Sequence, residues 1–370
     1  MPKIAVDARV LQRPPYTGVN KYLSSLLSEW RDSGVSKDIK LYFNQRAPLL
    51  KEINIHNYSF KHYRVPSKLL SASLILFNRP NAGSFISEDI LFMPNANYIS
   101  WQDRRPLVVA VHDISFILFP EFFGLKQRIW HRLLKFHSLL KRADLIITNS
   151  TATTRDLFSI FPEINHNRII TIPLGVDSYL FDSDSGASEE VSPPKRYMLY
   201  VGTLEPRKNV VSIIHAFNRI AEEDNEIFLI LAGAVGWKSN KIFSAIRKSP
   251  FQSRIIYKNY VSEEEKIYLY KNASVFVFPS FYEGFGLPPL EAMALGCPVV
   301  ASSAGSLPEV LGDAAILVSP YHTEELASAI KTILNDENLS TALRKEGRVH
   351  ALKYSWTETA RKTYDAIKSL

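Results

Sequence analysis

The sequence predicts an α/β chain of two doubly wound parallel-sheet domains, and three observations carry that expectation. At 370 residues the chain is too long for most single hydrophobic cores and suits two domains of ordinary size. Short apolar runs rich in β-branched and aromatic residues alternate with amphipathic stretches in both halves, the rhythm of parallel strands joined by crossover helices. One stretch shows the whole unit: Ala273 to Ala301, ASVFVFPSFYEGFGLPPLEAMALGCPVVA. Ala273 to Phe278 is a strand buried on both faces, and a glycine-bearing loop follows to Leu287. Pro288 or Pro289 opens a helix, where a missing amide proton costs nothing. Gly296 ends that helix, Pro298 forbids its continuation, and Val299 to Ala301 is the next strand.

From the start of the chain, Lys3 to Asp7 is an opening strand and Val19 to Trp30 a helix, with Arg9, Arg13 and Gly18 in the loop between them. Leu41 to Pro66 predicts two or three short strands, Ile90 to Met93 another, then a loop, PNANY. Leu107 to Val111 is a buried strand ending at His112 and Asp113. A histidine at the carboxyl end of a parallel strand points into the crevice where such sheets bind ligands, although a structural histidine would read the same way. Gly124 to Arg142, GLKQRIWHRLLKFHSLLKR, repeats apolar residues at helical spacing among six cations. It reads either as a basic amphipathic helix for an anionic membrane or as a core helix with a solvated face. Asp144 to Asn149 is a strand, Ser150 caps a helix, and Arg168 to Pro173 ends the first domain.

Leu174 to Lys195, with a tail rich in serine, acid and proline, is the hinge. Its Asp182-Ser183-Asp184 imitates a D-x-D metal motif, but no buried strand precedes it. Domains are therefore expected at 1–177 and 195–355. In the second, Tyr197 to Val201 is a strand, and Arg207 and Lys208 sit just before an amphipathic helix. Cations at a helix start oppose its dipole, so their presence suggests an anion there. Strands follow at Glu226 to Ala232, Arg254 to Val261 and Ala314 to Val318, and Ser262 with Glu265 forms a capping box. Three helices begin near Thr323, Leu339 and Trp356.

A single cysteine, Cys297, excludes a disulfide framework within the chain and fits a reducing compartment. MPKIAVDARV enters a strand with no signal-peptide pattern, and the longest apolar run, Leu69 to Phe77, is far short of a bilayer span. The expectation is a cytoplasmic protein, soluble or peripheral on the inner face of the cell membrane. The net charge of +7 is uneven: residues 1–180 carry 23 Lys and Arg against 14 Asp and Glu, while the remainder carries 21 against 23. A basic first half implies a different partner from the second.

The central loop suggests chemistry. Glu283 and Glu291 flank the amides of Gly284, Phe285 and Gly286 near a helix start. Amides at a helix N-terminus invite phosphate, and carboxylates accept hydrogen bonds from sugar hydroxyls, a combination that fits a nucleotide-sugar. Two solvated glutamates on an ordinary βα loop would show the same spacing.

EGFGLPPLE resembles the E-x7-E signature of retaining glycosyltransferases of the GT-B fold, glycosyltransferase family 4 (group 1). VGTLEPRKN at Val201 to Asn209, SLPEVLGDAAILVSP at Ser306 to Pro320, VHD at Val111 to Asp113 and TGVNKY at Thr17 to Tyr22 continue the resemblance in family order. It implies two Rossmann-like domains facing across a cleft, the first for the acceptor and the second for the donor. In such folds the last helix, here 356–370, usually crosses back to the first domain. It implies catalytic roles for His112, Glu283, Arg207 and Lys208, and donor contacts from Gly18, Thr203, Val261, Gly284, Phe285, Gly286, Leu287 and Glu291. Thr17 departs from the pattern, since the family usually has a glycine there. The implied reaction transfers a hexose without cofactor or metal ion, from UDP-glucose or, next, GDP-mannose, to a saccharide or lipid-linked saccharide acceptor of a surface polysaccharide. A non-catalytic partner subunit would be expected to lose the carboxylates or cations, and this chain keeps all four. A nicotinamide oxidoreductase lacks support because G-x-G-x-x-G is missing, and a nucleic-acid binder because no recognition module accompanies the pI of 9.2.

Overall fold

The apolar runs become the strands of two parallel sheets, each in its own unit of the chain. The computed structural model describes residues 2–12, 17–44, 55–62, 69, 73–74, 76–77, 86–97, 104–182 and 193–370. Arg13, residues 45–54 and 63–66 of the predicted strand region, residues 70–72 and 75 of the Leu69 to Phe77 run, Tyr98, Ser183 and Asp184 lie outside the described residues.

The first unit comprises Met1–Ile114, Leu125–Gly175 and Trp356–Leu370. Among the described residues its strands are β1 (Ile4–Asp7), β2 (Ile39–Phe43), β3 (Ser59–His62), β4 (Ile90–Met93), β5 (Leu107–Val111), β6 (Leu145–Thr148) and β7 (Ile169–Thr171). They run in the order β3-β2-β1-β4-β5-β6-β7, each pair parallel. β1, β4 and β5 are buried at every position, which is why their sequences are continuously apolar apart from Asp7. Helix α1 (Gly18–Asp32) buries Leu23, Leu26, Leu27 and Trp30, the stripe that helical periodicity dictates. Thr17 caps it, its amide donating to Asn20 Oδ1 at 3.0 Å, which gives the departure from glycine a local reason. Helix Trp356–Lys368 belongs to this unit and packs on α1, where Trp30 Nε1 donates to Ala360 O at 2.9 Å.

The basic stretch is not the single helix expected. It divides into α2 (Leu125–Leu133) and α3 (Phe136–Arg142), because Lys135 takes a left-handed φ of +50° that interrupts the hydrogen-bond ladder. Leu134, Phe136, Leu139 and Leu140 are buried, while Leu125, Ile129 and Leu133 on α2 remain 75, 51 and 44% exposed. The core reading therefore holds for α3 and fails for α2. Helix α4 (Thr151–Ile160) starts as the sequence indicates, with Ser150 Oγ accepting from the Thr153 amide at 3.0 Å.

The second unit comprises Ser115–Gly124 and Val176–Ser355. Its sheet runs β10-β9-β8-β11-β12-β13, again all parallel: β8 (Tyr197–Val201), β9 (Phe228–Ala232), β10 (Ile255–Lys258), β11 (Val275–Phe278), β12 (Val299–Ser302) and β13 (Ile316–Val318). The crossover helices are α5 (Val210–Ala221), α6 (Asn240–Lys248), α7 (Glu263–Asn272), α8 (Leu287–Ala294) and α9 (Leu307–Leu311), followed by α10 (Thr323–Asn335) and α11 (Glu337–Ala351). The strand order reverses between β8 and β11, so the loops leaving those two strands flank a topological switch point, where doubly wound sheets bind ligands. Ser115–Gly124 joins this unit through aromatic contacts: Phe122 stacks on Phe281 and Phe123 on Trp237, whose Nε1 donates to Phe122 O at 2.7 Å. Cys297 is buried and burial pushes its thiol up to about 12, which fits a packing role. Among the described residues no helix is long and apolar enough to cross a membrane.

Candidate active site

The β8 loop supplies the cations. A 3₁₀ turn, Pro206–Lys208, ends at Asn209 in a left-handed conformation, and Asn209 Nδ2 ties it to Pro279 O and Pro320 O at 3.2 and 2.8 Å. The Phe281 amide donates to Arg207 O at 2.9 Å, which joins the β8 and β11 loops directly. Arg207 and Lys208 thus stand one turn before α5 and meet an anion supplied by the protein. Lys208 Nζ lies 2.7 Å from Glu283 Oε1, and Arg207 Nη1 lies 2.9 Å from Glu283 Oε2. Arg207 also bonds Glu205 through Nε and Nη2 at 3.1 and 2.9 Å, and donates from Nη1 to Tyr282 O at 2.7 Å. Its fork is committed to holding two carboxylates and the loop. A lysine ammonium offers three donors, and the Glu283 bond uses one. Lys208 Nζ also sits 4.8 Å from the centre of the Phe278 ring.

Burial sets the electrostatics. Glu283 and Glu205 are 7 and 2% exposed. Burial pushes the Glu283 carboxyl up, but Arg207 and Lys208 outweigh it and hold the group down at about 2. At Glu205 burial wins over Arg207 and Lys208, and the carboxyl is raised. Burial lowers the Lys208 ammonium against the pull of Glu283. Two neighbouring carboxylates are thereby driven apart in acidity, with Glu283 firmly ionised.

The Glu283 backbone is clamped from the other side. Ser306 donates from its amide to Glu283 O at 3.1 Å, and its single hydroxyl proton is shared between Glu283 O at 3.0 Å and Phe285 O at 2.8 Å. Gly305 passes so close, at φ +60°, that a Cβ there would stand 2.6 Å from Glu283 O. Gly286 turns the chain into α8 at φ +110°, a conformation that L side chains rarely adopt. Among the described residues neither the Phe285 nor the Gly286 amide donates a hydrogen bond. With Leu287 they form the positive end of an eight-residue helix, at a point where Phe285 and Gly286 are buried and Leu287 is half-buried. One turn into α8, Glu291 pairs with Lys266 of α7 at 3.3 Å. Val261 lies in the loop between β10 and α7, and Thr203 in the β8 loop, where its carbonyl accepts from Tyr200 Oη at 2.9 Å.

The first unit holds the other two expected residues. Gly18 is the first residue of α1, with no atom of the described residues within 4 Å of where a Cβ would stand, its chain neighbours and the helix backbone aside. His112 follows β5 and places Nε2 2.8 Å from Pro94 O. A carbonyl only accepts, so Nε2 carries the proton and Nδ1 is left as acceptor. Burial lowers the imidazole below its ordinary value, which keeps the ring neutral. Tyr22, one turn beyond Gly18 on α1, meets the His112 ring edge-on at 4.8 Å between centroids.

The structure thus brings Arg207, Lys208 and Glu283 into contact and strings Gly284 to Glu291 along one loop and helix. The sequence reading did not single out Glu205, Lys266, Gly305 or Ser306. Glu205 sits two residues before Arg207 in an irregular loop, so no periodicity marks it. Lys266 shows its local partner Glu263 three residues earlier, but Glu291 is remote in sequence.

Residues 16–179 match the family described as Glycosyltransferase Family 4, and residues 184–350 that described as Glycosyl transferases group 1. The O-antigen chain mannosyltransferase B of Escherichia coli is 29% identical, covering 96% of this chain and 97% of its own. The MMP alpha-(1->4)-mannosyltransferase of Mycolicibacterium hassiacum is 33% identical over 59% of this chain, which is 52% of the relative. Sucrose-phosphate synthase from Thermosynechococcus elongatus shares the fold at a TM-score of 0.80 with 22% identity, covering 100 and 99% of the two chains. Anabaena HepE in complex with UDP and glucose does so at 0.77 with 19% identity, covering both chains fully. The chain belongs to glycosyltransferase family 4, the glycosyl transferases group 1, as a hexosyltransferase of the GT-B fold.

Proposed function

We propose that this enzyme moves a hexose from a nucleoside diphosphate sugar, with retention of anomeric configuration, onto a lipid-linked saccharide during surface polysaccharide synthesis. The observation that carries the reading is the ionised Glu283, held by Arg207 and Lys208 beside the free amides that open α8. Glu283 accepts hydrogen bonds from the transferred sugar's hydroxyls, and Glu291 from those of the ribose. The diphosphate takes the α8 amides and the remaining donors of Lys208, so charge developing on the leaving group is met by groups already in place. Arg207 keeps Glu283 and the loop in position. Departing phosphate accepts the proton of the attacking hydroxyl on the same face, and no protein base is required. His112 is assigned to the transferred sugar, Gly18 to close approach by the diphosphate, and Thr203 and Val261 to the nucleotide. A neutral His112 places no positive charge beside an oxocarbenium-like centre.

The name of the full-length Escherichia coli relative supports a mannosyl donor such as GDP-mannose ahead of UDP-glucose. The exposed stripe Leu125, Ile129 and Leu133, at i, i+4 and i+8 on α2 among Lys126, Arg128 and Arg132, supports contact with an anionic membrane surface that presents the acceptor. A panel of nucleotide-sugars, scored by thermal shift and donor hydrolysis, tests the assignment. One nucleoside diphosphate hexose should stabilise the protein. Glu291→Gln should weaken its binding, while Glu283→Gln should also slow turnover. No response to any donor, or a product of inverted configuration, would refute it.

A further inference from the structure

Glu291 is held from a neighbouring helix. Lys266 lies one turn into α7, where a cation opposes the helix dipole. Its ammonium stands 3.0 Å from Glu263 Oε1 and 3.3 Å from Glu291 Oε2. Tyr179 Oη donates to the same Glu263 oxygen at 2.8 Å, which holds that carboxylate in place. The Lys266 and Glu291 side chains are 18 and 13% exposed, so their attraction is screened less than that of a surface pair. The chain Tyr179, Glu263, Lys266, Glu291 crosses from the Val176 segment through α7 to α8.

We propose that Lys266 is the positioning residue of Glu291, orienting its carboxylate for the hydroxyls of a nucleoside diphosphate's ribose; the proposal rests on the donor-site reading above. A glutamate side chain has several rotatable bonds, and a free one loses that freedom when a ligand binds. Lys266 removes the freedom beforehand, so ribose contact proceeds without it. Two of the three ammonium donors are directed at carboxylates, which makes positioning rather than phosphate contact the role that the geometry favours. Arginine at this position would keep the charge and the reach. Methionine would keep the length and lose both bonds.

The test uses UDP and GDP and their 2′,3′-dideoxy counterparts, titrated calorimetrically into the full-length wild type, Lys266→Met and Lys266→Arg. In the wild type, the preferred nucleotide should bind roughly tenfold or more tightly than its dideoxy form, the effect of losing hydrogen bonds to a charged group. Lys266→Met should lose most of that preference, weakening the ribonucleotide and leaving the dideoxy form nearly unchanged. Lys266→Arg should restore it. In turnover assays Lys266→Met should raise the donor KM with kcat little changed. Equal weakening of both ligand forms overturns the proposal, since the ammonium would then act on base, phosphate or fold. So does an unaltered preference. If Lys266→Met does not fold, Glu263→Gln, which removes the anchor of the ammonium, must reduce the same preference. A wild type that binds neither diphosphate overturns the donor-site reading itself, and one that binds both forms equally overturns the ribose role of Glu291.

Discussion

Replacing Gly305 by alanine tests how the Glu283 loop is held. Its φ of +60° lies where L residues are strained, and the added Cβ would meet Glu283 O at 2.6 Å and Glu283 N at 2.9 Å. Both obstacles are backbone, so neither can swing aside. The left-handed conformation alone costs about 1–2 kcal/mol, and relieving the contacts brings the expected loss to about 2 kcal/mol. For a domain of this size that lowers Tm by roughly 4–8 °C. Activity should suffer more. Relief requires Glu283 to retreat, and its carboxylate then leaves the positions 2.7 Å from Lys208 and 2.9 Å from Arg207. Misplacement of about 1 Å can cost on the order of 10²-fold in rate, so kcat at saturating donor should fall between tenfold and a hundredfold, by about 1.4–2.7 kcal/mol. Calorimetric unfolding without ligand and initial rates measure the two effects. Gly18→Ala is the contrasting variant: with no described residue crowding its Cβ it should keep its Tm and raise the donor KM. A Gly305→Ala enzyme with wild-type Tm and wild-type kcat would refute the clamp.

Other outcomes follow from the same geometry. Lys208→Ala should lower turnover by roughly 10²–10³, about 2.7–4 kcal/mol, as for loss of one preorganised charge stabiliser. Activity should persist in excess EDTA, and restoration of an EDTA-treated enzyme by Mn²⁺ would count against the metal-free scheme. Glu283 is held below its ordinary 4.5, at about 2, so its contribution to stability is present above about 4.5 and lost as pH falls towards 2. The wild type should therefore lose stability over that window more steeply than Glu283→Gln. Glu205 acts with the opposite sign in both proteins, and parallel slopes would show that Glu283 is not depressed. Charge reversal of Arg128, Arg132 and Lys135 should abolish flotation with anionic vesicles, each cation contributing about 1 kcal/mol near the surface. Turnover of a short soluble acceptor should barely change, and equal recovery with neutral vesicles would sink the membrane reading.

Strands were the most legible part of the fold. Buried parallel strands such as β5 and β8 must be apolar throughout, so Leu107 to Val111 and Tyr197 to Val201 mark their own limits. Caps were legible for a similar reason: Ser150 and Gly296 act through their own backbone neighbours. The break at Lys135 was not, because the apolar spacing runs on through it and a lysine carries no signal for a left-handed turn. At the site, cations opposing the dipole of α5 correctly indicated an anion, yet its first identity is Glu283 of the same chain. Contacts between residues far apart in sequence, such as Glu205–Arg207 with Glu283 or Lys266 with Glu291, depend on which strands neighbour each other. Local pattern does not encode that.

The membership of helix Trp356–Lys368 in the first unit has a consequence for biosynthesis. Chains fold as they emerge from the ribosome, at roughly 5–20 residues per second, and domains generally form in order of synthesis. The first unit cannot follow that order. Trp30 waits for the carbonyl of Ala360, Pro173 O for the hydroxyl of Thr359, and Asp38 for that of Tyr364. While the nascent chain lengthens through residues 176–355, the buried face of α1 has no helix to cover it. The unit translated first is therefore completed last: its strands all precede residue 172, yet the face of α1 that Trp356–Lys368 covers stays open until synthesis ends.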